Sequence, residues 1–147
     1  MLRLVEVDRY NFRSLIDLEV TQEQQNFIVP NAYSLAQAYA QPECIPLGIY
    51  CGNVPVGFAM YCIDRDDHAY WIYRLMIDQR FQHQGYGQEA LRLLIRYMAA
   101  EEPDRRVIYL SFEPGNKCAR RLYEKLGFVP DGRMLYGETV YKLELRA

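Results

Sequence analysis

Three consecutive segments constrain the fold more than anything else in this chain. Tyr70–Ile77 is aromatic and β-branched enough to be a strand largely buried on both faces. Tyr86, Ala90, Leu93, Leu94, Tyr97 and Met98 recur at helical spacing, with Gln88, Glu89, Arg92 and Arg96 between them, and Pro103 ends that helix. Joining the two is Gln82-His83-Gln84-Gly85-Tyr86-Gly87. The order is strand, glycine loop, helix. Small residues let backbone approach an anion closely, and the unpaired N–H groups of a helix start carry partial positive charge. The strand that follows, Arg106–Phe112, must then lie parallel to Tyr70–Ile77 through a right-handed crossover.

The remaining segments fill in a sheet. Val5 and Val7 close a first strand, and Asp8 or Asn11 caps a short helix over Phe12–Leu18. A second helix is expected over Ser34–Ala40, capped by Asn31 or Ser34. Pro46–Cys51 and Val54–Ile63 form a hairpin about Gly52-Asn53, and the charged loop Asp64–Asp67 leads into Tyr70–Ile77, giving an antiparallel meander. A helix across Asn116–Leu126 is closed by Gly127. Phe128-Val129 and a hairpin turning at Gly137-Glu138, with Val140–Leu145 returning, complete an α/β (α+β) fold. Its central sheet is mixed, mostly antiparallel, with six to seven strands and about four flanking helices.

Composition narrows the function classes. At 147 residues the chain suits one domain over 1–147, with enough length to bury about 68–70% of its unfolded surface. No window approaches the roughly 20 apolar residues of a membrane span, and Met1–Val7 is a strand pattern, not a signal peptide. No membrane association and a cytoplasmic location are the expectations. Cys44, Cys51, Cys62 and Cys118 include no C-x-x-C pair, and His68 and His83 are the only histidines, so reduced thiols and no metal are expected. The net charge of −2 divides into −5 over residues 1–73 and +3 over residues 74–147. Neither half has the Lys/Arg block of a nucleic-acid groove, so no nucleic-acid partner is expected.

Gly85-x-Gly87-x-x-Ala90 satisfies a dinucleotide-binding variant, but seven residues, Asp78 to Gln84, separate Ile77 from Gly85, where that turn should be tight. A P-loop is excluded because no Gly-Lys-Ser/Thr is present. What remains is Gln/Arg-x-x-Gly-x-Gly/Ala opening a helix. In this the chain resembles the GNAT N-acetyltransferase superfamily, whose acetyl-CoA pyrophosphate loop Gln82, Gly85 and Gly87 match in order and spacing. Asn116-x-x-Ala119-x-x-Leu122-Tyr123-x-x-x-Gly127-Phe128 is similar to that family's final helix, and the order of elements is similar from end to end. His83 stands where the family frequently has glycine or another small residue. As a side chain it is expected to be a solvent-exposed loop histidine.

The resemblance implies that Tyr70–Ile77 and Arg106–Phe112 splay apart, leaving backbone groups of Leu75, Met76 and Ile77 for the pantetheine arm of acetyl-CoA, with the Met76 N–H facing the thioester oxygen. It implies pyrophosphate binding by Gln82, His83, Gln84, Gly85, Tyr86, Gly87 and Gln88, and a pantetheine contact from Asn116, which is also a natural N-cap. Tyr123 falls on the family's general acid; a phenol can protonate a thiolate leaving group. The base is open among Glu113, Glu19, Glu23 and Asp64.

The acceptor is expected to be a small-molecule amine. The acidic bias of residues 1–73 suits a polycation, and Phe27, Trp71 and Tyr73 can pack on methylene chains or ammonium groups, although aromatics there commonly belong to a core. Phe27 with the polar residues before it, Gly57–Tyr61, Tyr73–Asp78 and the terminal Gly137-Glu138 hairpin are similar to bacterial spermine/spermidine (diamine) N-acetyltransferases. Members of that group can carry an acidic residue where Tyr73 stands, so one carboxylate expected to meet the amine is missing here. A protein N-terminus or an aminoglycoside as acceptor, and a non-catalytic acyl-CoA-binding module, are the alternatives. A homodimer is the default assembly, dimers being the commonest among soluble proteins.

Overall fold

The computed structural model describes residues 1–145. In chain order the strands are β1 (Leu2–Glu6), β2 (Cys44–Cys51), β3 (Val54–Ile63), β4 (Tyr70–Ile77), β5 (Val107–Phe112), β6 (Val129–Leu135) and β7 (Glu138–Glu144), and the α-helices are α1 (Phe12–Ile16), α2 (Asn31–Ala40), α3 (Tyr86–Glu101) and α4 (Lys117–Lys125). All strands join one sheet in the order β1-β2-β3-β4-β5-β7-β6. β4 and β5 are its parallel pair, as the order of elements predicts.

Each face of the sheet carries its own core. α3 lays Ala90, Leu91, Leu94 and Met98 on one face, against Tyr70, Ile72, Ile108 and Leu110, and α4 adds Leu122 and Tyr123, with Leu126 at its C-cap. On the opposite face Leu15 and Leu18 pack with Phe58, Met60, Trp71 and Met76, under Leu35 and Ala38 of α2.

Several element ends differ from the sequence expectation. Asp8 accepts from the N–H groups of Tyr10 and Asn11 at 2.8 and 3.0 Å, and Asn11 Oδ1 accepts back from the Asp8 N–H, so the two side chains close a turn ahead of α1 and neither caps it. α1 itself ends at Ile16, short of Leu18. α2 starts three residues before Ser34, with Pro30 at its N-cap; Asn31 is buried and donates to the Leu15 carbonyl at 2.8 Å, fixing α2 to the end of α1. The last hairpin turns at Tyr136-Gly137, with φ of 51° and 83°, one residue earlier than expected. Two left-handed residues match the strand twist of a two-residue hairpin, but tyrosine rarely takes the first of them. Glu138 is therefore the first residue of β7 and not part of the turn.

A bulge in β4 sets up the centre of the sheet. The β3–β4 register steps from Met60↔Arg74 to Tyr61↔Ile72 and leaves Tyr73 without a partner. The extra residue breaks the strict alternation of faces. Tyr73 and Arg74 both point to the α1/α2 face, while Leu75 and Ile77 point to the α3/α4 face. The pairing of β4 with β5 runs only from Tyr70↔Ile108 to Ile72↔Leu110, so the two strands separate where the bulge begins. For that reason Tyr73, Arg74 and Leu75 are half-buried, where burial on both faces was expected.

Candidate active site

The gap between β4 and β5 opens into a cavity of about 760 Å³ whose walls come from both faces of the sheet. Backbone dominates the α3/α4 side. Asp78 N–H donates to the Val56 carbonyl at 2.8 Å, and the register continues in step through Gly57↔Ile77 and Phe58↔Met76. In an antiparallel ladder hydrogen-bonded pairs alternate, so Met76 turns its N–H and C=O toward β3. Gly57 is small for this reason: a Cβ there would collide with the Met76 carbonyl oxygen. The groups that face the gap belong to Leu75 and Ile77, which corrects the expectation that the Met76 N–H does so. Met76 still lines the cavity.

Asp78 anchors the loop that follows β4. Its buried carboxylate accepts from Glu19 N–H at 3.0 Å, Arg80 N–H at 2.9 Å and Arg80 Nε at 2.8 Å. Burial pushes against its ionisation, but these hydrogen bonds prevail and hold it below the ordinary carboxylate value. Gln82 then donates to the Ile77 carbonyl at 2.8 Å and to Gln24 at 2.9 Å, fastening the loop to the strand and to the segment after α1. Gly85 has φ +83° and faces open space. His83 is also left-handed, at φ 65°, a conformation that suits glycine better and that histidine tolerates more than most residues. The first bond into α3 runs from Glu89 N–H to the Gly85 carbonyl. Among the described residues no acceptor takes the N–H groups of Tyr86, Gly87 or Gln88, and no side chain caps the helix.

Tyr123 reaches the cavity from α4, its ring 5.4 Å from that of Phe112 and 5.9 Å from that of Phe128. Its hydroxyl has no protein partner among the described residues. Burial, with a smaller contribution from the Glu138 charge, pushes the phenol up to about 12. Asn116 caps α4, accepting from Ala119 N–H at 3.2 Å, and also lines the cavity.

Side chains dominate the α1/α2 side. Tyr73 donates to Asp64 Oδ2 at 2.7 Å, and Asp64 Oδ1 accepts from the N–H groups of Asp66 and Asp67 at 2.8 and 3.4 Å. Burial opposes ionisation of Asp64, but these bonds hold it below its ordinary value; burial, then Cys62 and Asp64, push Tyr73 far up. Arg74 donates to Ser34 Oγ, Gln37 Oε1 and the Tyr73 carbonyl, and has no carboxylate partner among the described residues. Burial draws its guanidinium below the usual value, though such a group stays charged at any working pH. Ser111 donates to Glu138 Oε1 at 2.7 Å. Beyond Asp64 and Tyr73 a second recess, about 410 Å³, is bordered by Glu43 and Asp66.

Leu75, Met76, Ile77, Gln82, His83, Gly85, Tyr86, Gly87, Asn116 and Tyr123 share the main cavity with Phe27, Trp71 and Tyr73; Gln84 and Gln88 are not in its walls. Trp71 is only 6% exposed, stacks on Tyr109 at 5.3 Å and donates its indole N–H to Asp67, so most of it is core. Of the carboxylates considered as a base, Asp64 lines the cavity and Glu19, Glu23 and Glu113 do not. Sequence reasoning missed Arg74, Ser111 and Glu138. The signal for Glu138 was the Tyr136-Gly137 turn, which sets its position in β7.

Comparison with known proteins adds independent findings. The sequence pattern of the Acetyltransferase (GNAT) family matches residues 12–128. The chain is 34% identical to the spermine/spermidine N(1)-acetyltransferase of Bacillus subtilis (strain 168), over 92% of this chain and 93% of that protein. Its fold is similar to a solved aminoglycoside acetyltransferase AAC(6')-Ib in complex with coenzyme A and kanamycin, with a TM-score of 0.80, 19% identity and coverage of 99% and 95% of the two chains. It is also similar to spermidine N-acetyltransferase from Vibrio cholerae in complex with CoA and spermine, with a TM-score of 0.74, 16% identity and coverage of 96% and 92%.

Proposed function

The chain belongs to the Acetyltransferase (GNAT) family, and from that premise we propose that it transfers acetyl from acetyl-CoA to a primary amine of a polyamine such as spermine or spermidine. The observation that carries this is a cavity open to both faces of the sheet, with free backbone N–H groups at one end and carboxylates at the other.

The donor side fits acetyl-CoA. The N–H groups of Tyr86, Gly87 and Gln88 at the start of a 16-residue helix suit pyrophosphate, and the gap-facing N–H and C=O of Leu75, with the N–H of Ile77, whose carbonyl is taken by Gln82, suit the amides of pantetheine. Asn116 lies on the same wall, with its Nδ2 free of protein acceptors among the described residues. Bound acetyl-CoA supplies the acetyl group activated as a thioester. A gap-facing N–H of β4 steadies the negative charge that develops on the carbonyl oxygen. Tyr123 holds its proton throughout the neutral range and delivers it to the departing sulfur.

The acceptor side favours a cation with an apolar backbone. Asp64 and Glu138 stand in the cavity wall together with the apolar Phe27, Ile28 and Leu135, and the second recess, which shares Asp64 and Tyr73, adds Glu43 and Asp66. A chain of methylenes with ammonium groups suits that combination of apolar and acidic side chains. Arg74 opposes it locally, and its bonds to Ser34 and Gln37 make it a tether between β4 and α2. The similarity to a spermine/spermidine N(1)-acetyltransferase supports the same class.

A thiol-release assay with acetyl-CoA against spermine, spermidine, short diamines, peptides and aminoglycosides tests this. Turnover of spermine and spermidine above the other classes is expected. Inert polyamines beside an active second class would overturn the acceptor, and a failure to bind acetyl-CoA in calorimetry would overturn the donor as well.

A further inference from the structure

An aliphatic ammonium titrates near 10, so at pH 7 only about one acceptor molecule in 10³ carries the neutral nitrogen that can attack a carbonyl. A group in the cavity has to take that proton. Glu19, Glu23 and Glu113 are exposed and outside the cavity walls. Asp64 is inside, but Tyr73, Asp66 and Asp67 donate to its two oxygens, which hold it as the weaker base of an anchored carboxylate.

Glu138 differs on each count. It is half-buried, it lines the cavity, and Ser111 donates to Oε1 while Oε2 accepts from no group among the described residues. Its location is fixed from two directions. Ser111 is the first residue of β5 beyond the last one paired to β4, and Thr139, next to Glu138, pairs with Phe112. Phe112 in turn lies 5.4 Å from the Tyr123 ring. Alternation along β5 and β7 sends Ser111 and Glu138 to the α1/α2 face, with Tyr109 and Val140, and sends Phe112 to the α3/α4 face with Tyr123. The carboxylate and the phenol thus flank one gap from opposite faces, as two proton-handling groups must when the acceptor comes from one side and the leaving sulfur departs on the other.

We infer that Glu138 is the general base, taking the acceptor's ammonium proton on Oε2, with Ser111 as the residue that positions it; this rests on the amine acetyltransferase assignment above. The balance is complete. The ammonium gives one proton to Glu138, and the freed lone pair forms the C–N bond at the thioester carbon. The C–S bond breaks with its electron pair on sulfur, which takes the Tyr123 proton. Tyr123 recovers a proton from the nitrogen, which loses its second one as the amide forms, and Glu138 releases the first to water. Ammonium and thioester become amide, thiol and one proton.

The charged and titratable groups around Glu138 are Arg74 from β4 and Tyr123 from α4, with Tyr73 and Asp64 further along the same wall and His83 and Tyr136 at its ends. Glu138→Gln withdraws a charge that helps raise Tyr123 and Arg74, but burial, the larger cause at Tyr123, remains and still holds the phenol up, and the guanidinium stays charged. The test measures kcat/KM for spermidine with saturating acetyl-CoA between about pH 6 and 10 for wild type, Glu138→Gln, Glu138→Asp and Ser111→Ala. At pH 7, Glu138→Gln should lose about 10²-fold, and the loss should shrink to a few-fold near pH 10, where the amine is neutral in solution. Glu138→Asp should recover part of the loss. Ser111→Ala should follow the same pH trend at smaller amplitude. An unchanged acetyl-CoA affinity in calorimetry certifies that each variant is folded. Wild-type rates in Glu138→Gln, or a loss that stays constant with pH, would overturn the base and leave the acetyltransferase assignment standing. A wild type that acetylates no amine overturns both.

Discussion

The two ends of the cavity are built by different means. On the α3/α4 side the chain binds with backbone: left-handed Gly85, the unpaired amides of Tyr86 to Gln88, and the edges of Leu75 and Ile77 where β4 leaves β5. On the α1/α2 side it binds with side chains drawn from separated segments, namely Phe27, Asp64, Tyr73, Arg74, Ser111 and Glu138. A site made of backbone is tied to one local conformation and so to one stretch of sequence. A site made of side chains depends on register, since a shift of one residue sends each of them to the other face. The donor end is therefore a constant of the fold, while the acceptor end is free to change by point substitution.

Tyr123→Phe is the sharpest way to break this comparison, because its hydroxyl is a side-chain group serving the backbone-built end. Removing it should lower kcat by about 10²-fold or more, with acetyl-CoA affinity and thermal stability held. Since burial keeps the phenol protonated up to about 12, wild-type kcat should show no decline from its ionisation at pH 9 or about 10. An unchanged kcat in Tyr123→Phe would remove it from the chemistry.

Asp78→Ala should be next in size. The carboxylate joins Glu19 N–H, Arg80 N–H and Arg80 Nε at the point where β4 ends and the glycine loop begins. Hydrogen bonds to a buried charge contribute about 1.5–3 kcal/mol, so unfolding by denaturant should show a loss of about 3 kcal/mol. The sign with pH follows from the depressed folded value. The contribution is fully present above the unfolded carboxylate value, about 3.9, and is lost as pH falls through the lower folded one. The wild type should therefore shed stability below about pH 4 that Asp78→Ala never had.

Much of the donor end was legible because its motif is contiguous: the loop, the helix after it and the parallel strand follow one another, and periodicity alone gives their order. The gap itself came only from the family resemblance, which implied that the two strands splay apart, and not from the residue pattern. A run such as Tyr70–Ile77 reads as buried on both faces, and it is the unpaired Tyr73 in the β3 register, with the short β4–β5 pairing, that marks where β4 leaves β5. The same bulge decides which amides are free, and so Leu75 and Ile77 replace Met76 as the residues facing the gap. At the acceptor end a one-residue difference in the last turn concealed Glu138, since tyrosine at φ 51° is not a turn residue that propensity suggests. Trp71 shows the opposite limit. Its aromatic character suits a binding wall, but Tyr109, Asp67 and Arg133 occupy its ring face, indole N–H and outer surface.

The remaining predictions separate the two ends. Gly85→Ala puts a Cβ at φ +83° into open space, so its cost is conformational, about 1–2 kcal/mol, and steric contact adds nothing. If the loop relaxes to relieve it, acetyl-CoA should bind about 10-fold more weakly in calorimetry, with the polyamine KM unchanged. A shift in polyamine KM instead would mean that the loop serves both ends.

Asp64→Asn is the matching change at the acceptor end and the smallest. The amide oxygen can keep the Asp66 and Asp67 N–H groups while the amide nitrogen donates to the Tyr73 hydroxyl, so the wall keeps its shape and loses only charge. A half-exposed carboxylate facing an ammonium is worth about 1 kcal/mol or less, so spermidine KM should rise about 5-fold at most, with kcat and acetyl-CoA affinity unchanged. Because the interaction is partly solvated, the difference between variant and wild type should shrink as salt is added. A KM equal to that of wild type at low salt would take Asp64 out of the acceptor's path and leave the Tyr73–Asp64 bond as a brace for the bulge. A lowered kcat at constant KM would instead give Asp64 a share in the proton transfer assigned to Glu138. The polyamine's charge would then be met at the gap, and the recess bordered by Glu43 and Asp66 would have no part in holding it.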